Sequence, residues 1–337
     1  MAIPLVSVLI PVYREGEILR ETIDSVINQS FKDFEVVLIE NNADELSLNI
    51  LKEYVKRFPE KVRLVSQPIQ GAPSARNKGL MESRGIYIAI CEGDDIMYPN
   101  RLERQLLAFE KSSGEVSLLA SEFDLVNWEN NQVLEKSKFH QKYWMSSLEL
   151  DKIFDSHPST WFFKKDKAIA VGMFNEAFNP RLVEDDEFNF RMFLAGQLLY
   201  MPEHLIRVRL PSRNYQGVKD AQAPSEKVLY NLNTFFSILV RSLSSQNSIK
   251  YNKNGFLKIR SQWLREQGIA LFKYKNGKTV GRKLILDALM TQKFDFKNWK
   301  AFFRSYFGTR YTNCQGEKII SDSELNFLIE NRFFFYE

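Results

Sequence analysis

The chemistry-bearing residues of this chain gather in two acidic clusters. Gly85 to Asp95 reads GIYIAICEGDD, an apolar, partly β-branched run from Ile86 to Cys91 that ends in three carboxylates, Glu92, Asp94 and Asp95. Such a run is expected to be a strand buried in a parallel sheet. Open α/β sheets bind ligands just outside the carboxyl ends of their strands, which is where these carboxylates would lie. Three carboxylates so close repel one another unless a positive charge stands among them. Carboxylate and phosphate oxygens are what a hard divalent cation, Mg2+ or Mn2+, prefers. An acidic turn in water is the plain alternative. The second cluster, Glu184-Asp185-Asp186-Glu187, opens a segment with helical spacing through Phe188, Phe190, Met192 and Phe193. Acidic residues suit the first turn of a helix, but four in a row are more than capping requires.

The elements that must position these groups follow from periodicity. Strands are predicted at Val6–Ile10, Phe34–Ile39 and Val62–Ser66, and helices at Glu17–Gln29 and Leu46–Phe58. That βαβαβ order begins a doubly wound parallel sheet. Two strand tips, Pro11–Glu15 and Glu40–Asn42, then lie side by side as a place for a nucleotide. Ser74 is expected to cap a helix from Ala75 to Ser83. Arg76 and Lys78 would oppose its dipole in the first turn, a conflict that a diphosphate could relieve.

After the acidic strand tip, Tyr98–Lys111 reads as a helix with Pro99 in its first turn, and Ser117–Asn127 as a strand. His157–Phe163 reads as a loop entering a strand, Val171–Glu176 as a turn and short extended segment, and Leu198–Tyr200 and Ile206–Val208 as two strand pieces. Pro211–Pro224 has the composition of a linker. Helices are expected at Ser225–Leu243, Phe256–Tyr274 and Thr279–Met290. Trp299–Phe307 is basic, and its aromatics recur at close to the helical period.

The 337 residues, 44% hydrophobic and 26% charged, suit one large domain plus an appendage. Two cysteines, Cys91 and Cys314, make no disulfide framework and fit a reducing compartment. No signal peptide and no transmembrane helix are expected. Residues 1–217 hold 26 Lys and Arg against 32 Asp and Glu, whereas residues 218–337 hold 20 against 10. A basic region of net +10 thus follows an acidic body of net −6. By charge alone such a surface suits nucleic acid, an anionic membrane face or an anionic substrate, or is a solvated helical surface. Together with the aromatic segment it suggests an anionic membrane face or a lipid-linked acceptor, and no nucleic acid is expected.

In order along the chain, VSVLIPVYRE, FEVVLIENNA, GAPSARNKGL, GIYIAICEGDD, HPSTWFFKK with VGMFNE, and EDDEFNFRMFLAG resemble the signatures of family 2 glycosyltransferases, over about residues 4–210. The resemblance implies a GT-A, Rossmann-like, mostly parallel sheet flanked by helices over residues 1–217, with a mainly helical region over 218–337. It implies inverting transfer from a nucleotide-sugar donor, a UDP-sugar, to a glycan or lipid-linked acceptor in surface polysaccharide or glycolipid synthesis, by a cytoplasmic enzyme either soluble or peripheral on the inner face of the membrane. Pro11, Tyr13 and Glu15 match the loop that cradles uracil, Glu40 the carboxylate at base or ribose, and Arg76 a basic residue near the nucleotide. Glu92-Gly93-Asp94 falls on the metal-binding D-x-D motif, with Asp94 on the cation, Glu92 on the ribose side and Asp95 next in the site. Asp185 matches the catalytic base, with Glu184 and His157 on the acceptor side. This chain departs from the pattern at Glu92, at Glu40-Asn41-Asn42-Ala43, and between Arg207 and Arg213, where a metal-binding His is missing and an Arg could share the diphosphate charge. The competing readings are a sugar-nucleotide pyrophosphorylase, which would need a glycine-rich phosphate loop after the first strand, and a non-catalytic binding module.

Overall fold

The computed structural model describes residues 3–112, 115–137, 143–145, 156–178, 184–210, 261, 264–265, 268–269, 271–273 and 277–307. The expected linker at Pro211–Pro224 and the helix at Ser225–Leu243 lie outside the described residues, as do Arg213, Cys314 and most of Phe256–Tyr274. The chain separates into two compact units, residues 1–146 with 153–219, and residues 147–152 with 220–337.

The first unit is built on one sheet. Its strands are β1 (Val6–Val12), β2 (Phe34–Glu40), β3 (Val62–Ser66), β4 (Tyr87–Ile90), β5 (Ile96–Met97), β6 (Val116–Asn127), β7 (Val133–Lys136), β8 (Tyr143–Met145), β9 (Phe162–Lys164) and β10 (Gln197–Leu210). The spatial order is β3-β2-β1-β4-β9-β6-β10-β5. β3, β2, β1 and β4 run parallel; β9 is inserted antiparallel between β4 and β6, while β10 runs parallel to β6. The helices are α1 (Ile18–Ile27), α2 (Glu45–Arg57), α3 (Ala72–Glu82), α4 (Arg101–Glu110), α5 (Lys165–Ala170) and α6 (Glu184–Leu194).

Alternation along the central strands explains the layering. Val6, Val8 and Ile10 of β1, with Val36 and Leu38 of β2, share one apolar core with Leu19 and Ile23 of α1, Leu51 of α2 and Leu106 of α4. Side chains of opposite parity point to the other face, where α3 lies so close that a Cβ on Gly79 would stand 2.9 Å from Ile39 and 3.2 Å from Leu9. Both faces of these strands are therefore covered, which is why they read as continuous apolar runs.

Several boundaries differ from expectation. β1 continues through Pro11, whose missing N–H falls beyond the end of its pairing with β4 at Leu9–Ile90. The acidic-tipped strand begins at Tyr87, and Ile86 is exposed. α3 begins at Ala72 after Gly71, so Ser74 is no cap: its hydroxyl donates to the carbonyls of Ile69 and Gly71. α4 begins at Arg101, and Pro99 precedes its N-cap Asn100. Between Val171 and Glu176 there is a turn, with Met173 at φ 57°, and no extended segment. The two pieces predicted around Tyr200 and Val208 are one strand, β10, irregular between Met201 and Ile206.

In the second unit, α7 (Lys278–Thr291) and α8 (Phe296–Phe307) form a helical hairpin. They pack around Phe272, Ile285 and Ala301.

Candidate active site

The tips of β1 and β4 are held against each other. Beyond Ile90 the chain turns through Cys91-Glu92-Gly93-Asp94-Asp95, and a Cβ on Gly93 would stand 2.9 Å from the Pro11 carbonyl and 3.0 Å from the Glu15 carboxyl carbon. Only glycine lets the β1 loop approach so closely. Thr22 of α1 donates to the Gly93 carbonyl at 3.0 Å. In the β1 loop the Tyr13 N–H donates to Glu15 at 2.8 Å, which folds the carboxylate back over the turn. Burial and then the Asp94 charge push the Glu15 carboxyl up to about 8. Asp94 itself is held well above the usual carboxylate range, by burial first and then by Asp95 and Glu92.

Asp95 plays a different part. It is buried, its Oδ1 accepts the Arg209 backbone N–H at 3.1 Å, and its Oδ2 accepts the Ser159 hydroxyl at 2.5 Å. Burial pushes it up to about 7 despite those bonds. Ser159 also accepts the Glu92 N–H at 2.9 Å, so the loop before β9 brackets the acidic turn. The buried Arg209 closes the bracket from β10 by donating to the Asp94 carbonyl at 2.8 Å and to Asn131 at 2.9 Å, and by pairing with Glu21. Arg207 stacks on the Tyr98 ring at 5.0 Å. Arg207 and Arg209, two of the arginines weighed for a share of the diphosphate charge, lie within β10 and are engaged within the fold.

Arg76 lies in the second turn of α3 and is buried. It donates to Glu92 Oε1 at 2.8 and 3.1 Å, reaches Glu184 at 3.4 Å, and covers the Phe174 ring at 5.2 Å. Burial disfavours its charge, but Glu92, Glu184 and Asp185 outweigh that and raise its pKa. The dipole conflict expected in a first turn is absent, because α3 starts earlier, Arg76 is paired, and Lys78 pairs with Glu82 at 2.8 Å. Arg76 is thus the clamp between the β4 tip and the start of α6.

At that start the four carboxylates differ. Glu184 is buried on Arg76, and Glu187 is buried on Arg191 at 2.7 Å. Asp186 is held well above the usual range by burial and by the charges of Asp185 and Glu184. Asp185 is partly exposed and its Oδ1 accepts the Asp186 N–H at 3.0 Å. His157 Nδ1 accepts the Ser159 N–H at 3.3 Å, and burial lowers its pKa; it stands as a neutral imidazole over the bracket loop. Glu40, at the β2 tip, accepts from the Ala43 N–H at 3.0 Å and the Ser66 hydroxyl at 2.6 Å.

The structure therefore brings Pro11, Glu15, Glu92, Asp94, Asp95, Arg76, His157 and Glu184 into one network, with Asp185 near enough for its charge to act on Arg76 and His157. Glu40 ends β2 and Tyr13 follows β1, at the neighbouring strand tips. Sequence reasoning missed Ser159, Arg209 and Asn77. Asn77 exchanges two 2.8 Å hydrogen bonds with the Phe174 backbone, which places Phe174 under Arg76. The HPST and ArN segments were visible, but the inward direction of their small polar side chains was not.

Among the described residues no three His, Cys, Asp or Glu side chains converge to cage a metal. The donors fit a cation shared with a ligand: the elevated proton affinities of Asp94 and Glu15 mark a place that favours positive charge, and Mg2+ is commonly held by one or two carboxylates with substrate phosphates. Asp95, with both oxygens bonded to the protein, fits a supporting position better than a ligand position.

The profile described as glycosyl transferase family 2 matches residues 7–171. An uncharacterized glycosyltransferase of Methanocaldococcus jannaschii is 28% identical over 63% of this chain and 72% of its own length. Among solved structures, S. aureus TarS in complex with UDP-GlcNAc superposes with a TM-score of 0.63 at 15% identity, covering 85% of this chain and 81% of that one. GalNAc-T7 with UDP, GalNAc and Mn2+ superposes with a TM-score of 0.55 at 15% identity over 70% of this chain and 48% of that one. The fold is that of GT-A glycosyltransferases, and residues 7–171 are similar to glycosyl transferase family 2.

Proposed function

We propose that this protein transfers a sugar from a UDP-sugar to a hydroxyl of a glycan or lipid-linked acceptor, with inversion at the anomeric carbon. The observation that carries this reading is the acidic turn at the carboxyl end of β4. There burial and the Asp94 charge raise the proton affinity of Glu15, and that of Asp94 is raised as well, at the kind of strand tip where open α/β sheets bind ligands. Pro11, Tyr13 and Glu40 are assigned to the uridine side. Glu15 is assigned with them to that side, Glu92, held by Arg76, to the ribose, and Asp94 to the diphosphate side. A Mn2+ or Mg2+ ion held by Asp94 would supply charge neutralisation for the departing diphosphate.

Asp185 is the proposed base. Of the four carboxylates opening α6, Glu184 and Glu187 are neutralised by arginines and Asp186 is pushed toward its protonated form. Asp185 is partly exposed and accepts only the Asp186 N–H among the hydrogen bonds described above. It takes the proton from the acceptor hydroxyl as the new C–O bond forms at the anomeric carbon; the bond to the diphosphate oxygen breaks and UDP leaves with its electron pair. No covalent intermediate is needed. The UDP-GlcNAc of TarS and the GalNAc of GalNAc-T7 favour an N-acetylhexosamine as the sugar. The basic second half of the chain favours a cytoplasmic site of action against the inner membrane face, in surface polysaccharide synthesis.

UDP release should be measured across sugar nucleotides, with and without Mn2+. Metal-dependent release from one UDP-N-acetylhexosamine supports the reading. Release from none, or pyrophosphate-dependent formation of UTP, overturns it.

A further inference from the structure

Helix α8 turns the usual amphipathic arrangement around. Its buried positions are Asn298, Ala301 and Ser305, whereas Phe296, Trp299, Phe303 and Tyr306 face solvent, Phe296 being 78% and Phe303 52% exposed. A helix that merely buttresses a core buries its aromatics. This rotation is fixed by hydrogen bonds. The Asn298 amide donates to Ser261 Oγ at 2.7 Å and to the Ala288 carbonyl at 3.1 Å, and the Ser305 carbonyl accepts from Arg282 at 3.1 Å. Turning the aromatics inward would leave those buried groups without partners. In the turn before α8, Phe294 is fully exposed.

The aromatic ridge is ordered. Trp299 stacks on Phe303 with centroids 5.8 Å apart, and its indole N–H donates to the Lys293 carbonyl at 2.8 Å. The surrounding charge has one sign. Between Gln292 and Phe307 the basic residues are Lys293, Lys297, Lys300 and Arg304, against a single acid, Asp295. Asp295 is committed to Arg265 at 3.0 Å and to the Lys297 N–H at 2.8 Å. A second copy of the chain seated on this ridge would bring like charges together. An anionic bilayer offers apolar depth for the rings and phosphates for the bases.

We propose that the α7–α8 hairpin is a membrane-docking element, with Phe294, Phe296, Trp299 and Phe303 entering the headgroup boundary of an anionic bilayer and the flanking lysines and Arg304 contacting lipid phosphates. This deepens the membrane-side reading above and is independent of the transfer chemistry, since docking needs neither donor nor acceptor.

The test is co-sedimentation of the full chain with phosphatidylcholine vesicles, with and without phosphatidylglycerol. Binding is expected only with phosphatidylglycerol, and it should weaken as salt rises. Lys297→Gln and Lys300→Gln should each weaken it about fivefold. Phe296→Ser with Phe303→Ser should weaken it about tenfold or more, with an unchanged circular dichroism spectrum. Brominated lipid should quench wild-type fluorescence more than that of Trp299→Phe. No binding at low salt, binding indifferent to the lysine variants, or a concentration-dependent dimer dissolved by the same phenylalanine changes would overturn the proposal, the last by showing that a second copy covers the ridge.

Discussion

Asp94→Asn should stabilise the metal-free protein while removing its activity. Raising the Glu15 carboxyl from an ordinary 4.5 to about 8 corresponds to about 4–5 kcal/mol, at about 1.4 kcal/mol per tenfold change in proton affinity. Burial is the larger cause and Asp94 the second, and the partly exposed Glu15 side chain is screened by water. The share assigned to Asp94 is therefore about 1 kcal/mol, and relief of the Asp94–Asp95 repulsion adds a similar amount. Between pH 4.5 and 8 the folded protein holds more protons on Glu15 than the unfolded chain does, so stability is greatest at the acid end of that window and falls as pH rises through it. The variant should be about 1–2 kcal/mol more stable at pH 8 and little changed at pH 5, where Glu15 is already protonated. Calorimetry in EDTA should show a Tm rise of about 2–4 °C per kcal/mol for a unit of this size. Adding Mn2+ should raise the Tm of the wild type and not of the variant. A variant less stable than wild type at pH 8, or an equal gain at pH 5, would refute the claim that these carboxylates repel one another.

Three further outcomes follow from the same geometry. Arg76→Leu leaves Glu92 and the buried Glu184 without their cation, so urea denaturation should show a loss of about 3–5 kcal/mol; Arg76→Lys should recover only part of it, because the forked contact to Glu92 needs a guanidinium. Gly93→Ala drives a methyl into the Pro11 carbonyl and Glu15, and turnover should fall about 10²-fold with unchanged far-UV circular dichroism, as expected when reacting groups shift by about 1 Å. Asp186→Asn exchanges a carboxyl already held toward neutrality for a neutral amide, and turnover should stay within about threefold of wild type.

Much of the sheet was legible because β1, β2 and β4 are buried on both faces and must be apolar throughout. The two-residue β5 was not legible as a separate strand, since it is too short to show a period. The start of α3 was misplaced because Ser74 resembles a cap in sequence, while Gly71, at φ 147°, is what ends the loop. At the site, residue types pointed to the carboxylates and to Arg76. The division of labour among them depended on burial: Asp95 and Asp94 are adjacent in sequence, yet one is bonded to Ser159 and Arg209 and the other acts by its charge on Glu15. No local pattern distinguishes them.

The most direct test of the proposed reaction separates donor binding from transfer in Asp185→Asn. With a competent UDP-sugar and Mn2+, this variant should bind UDP with near wild-type affinity by calorimetry, while UDP release in the presence of acceptor falls about 10²- to 10⁴-fold, the usual contribution of a general base. Wild-type turnover in Asp185→Asn, or loss of turnover in Asp186→Asn with Asp185→Asn active, would contradict the assignment of the base.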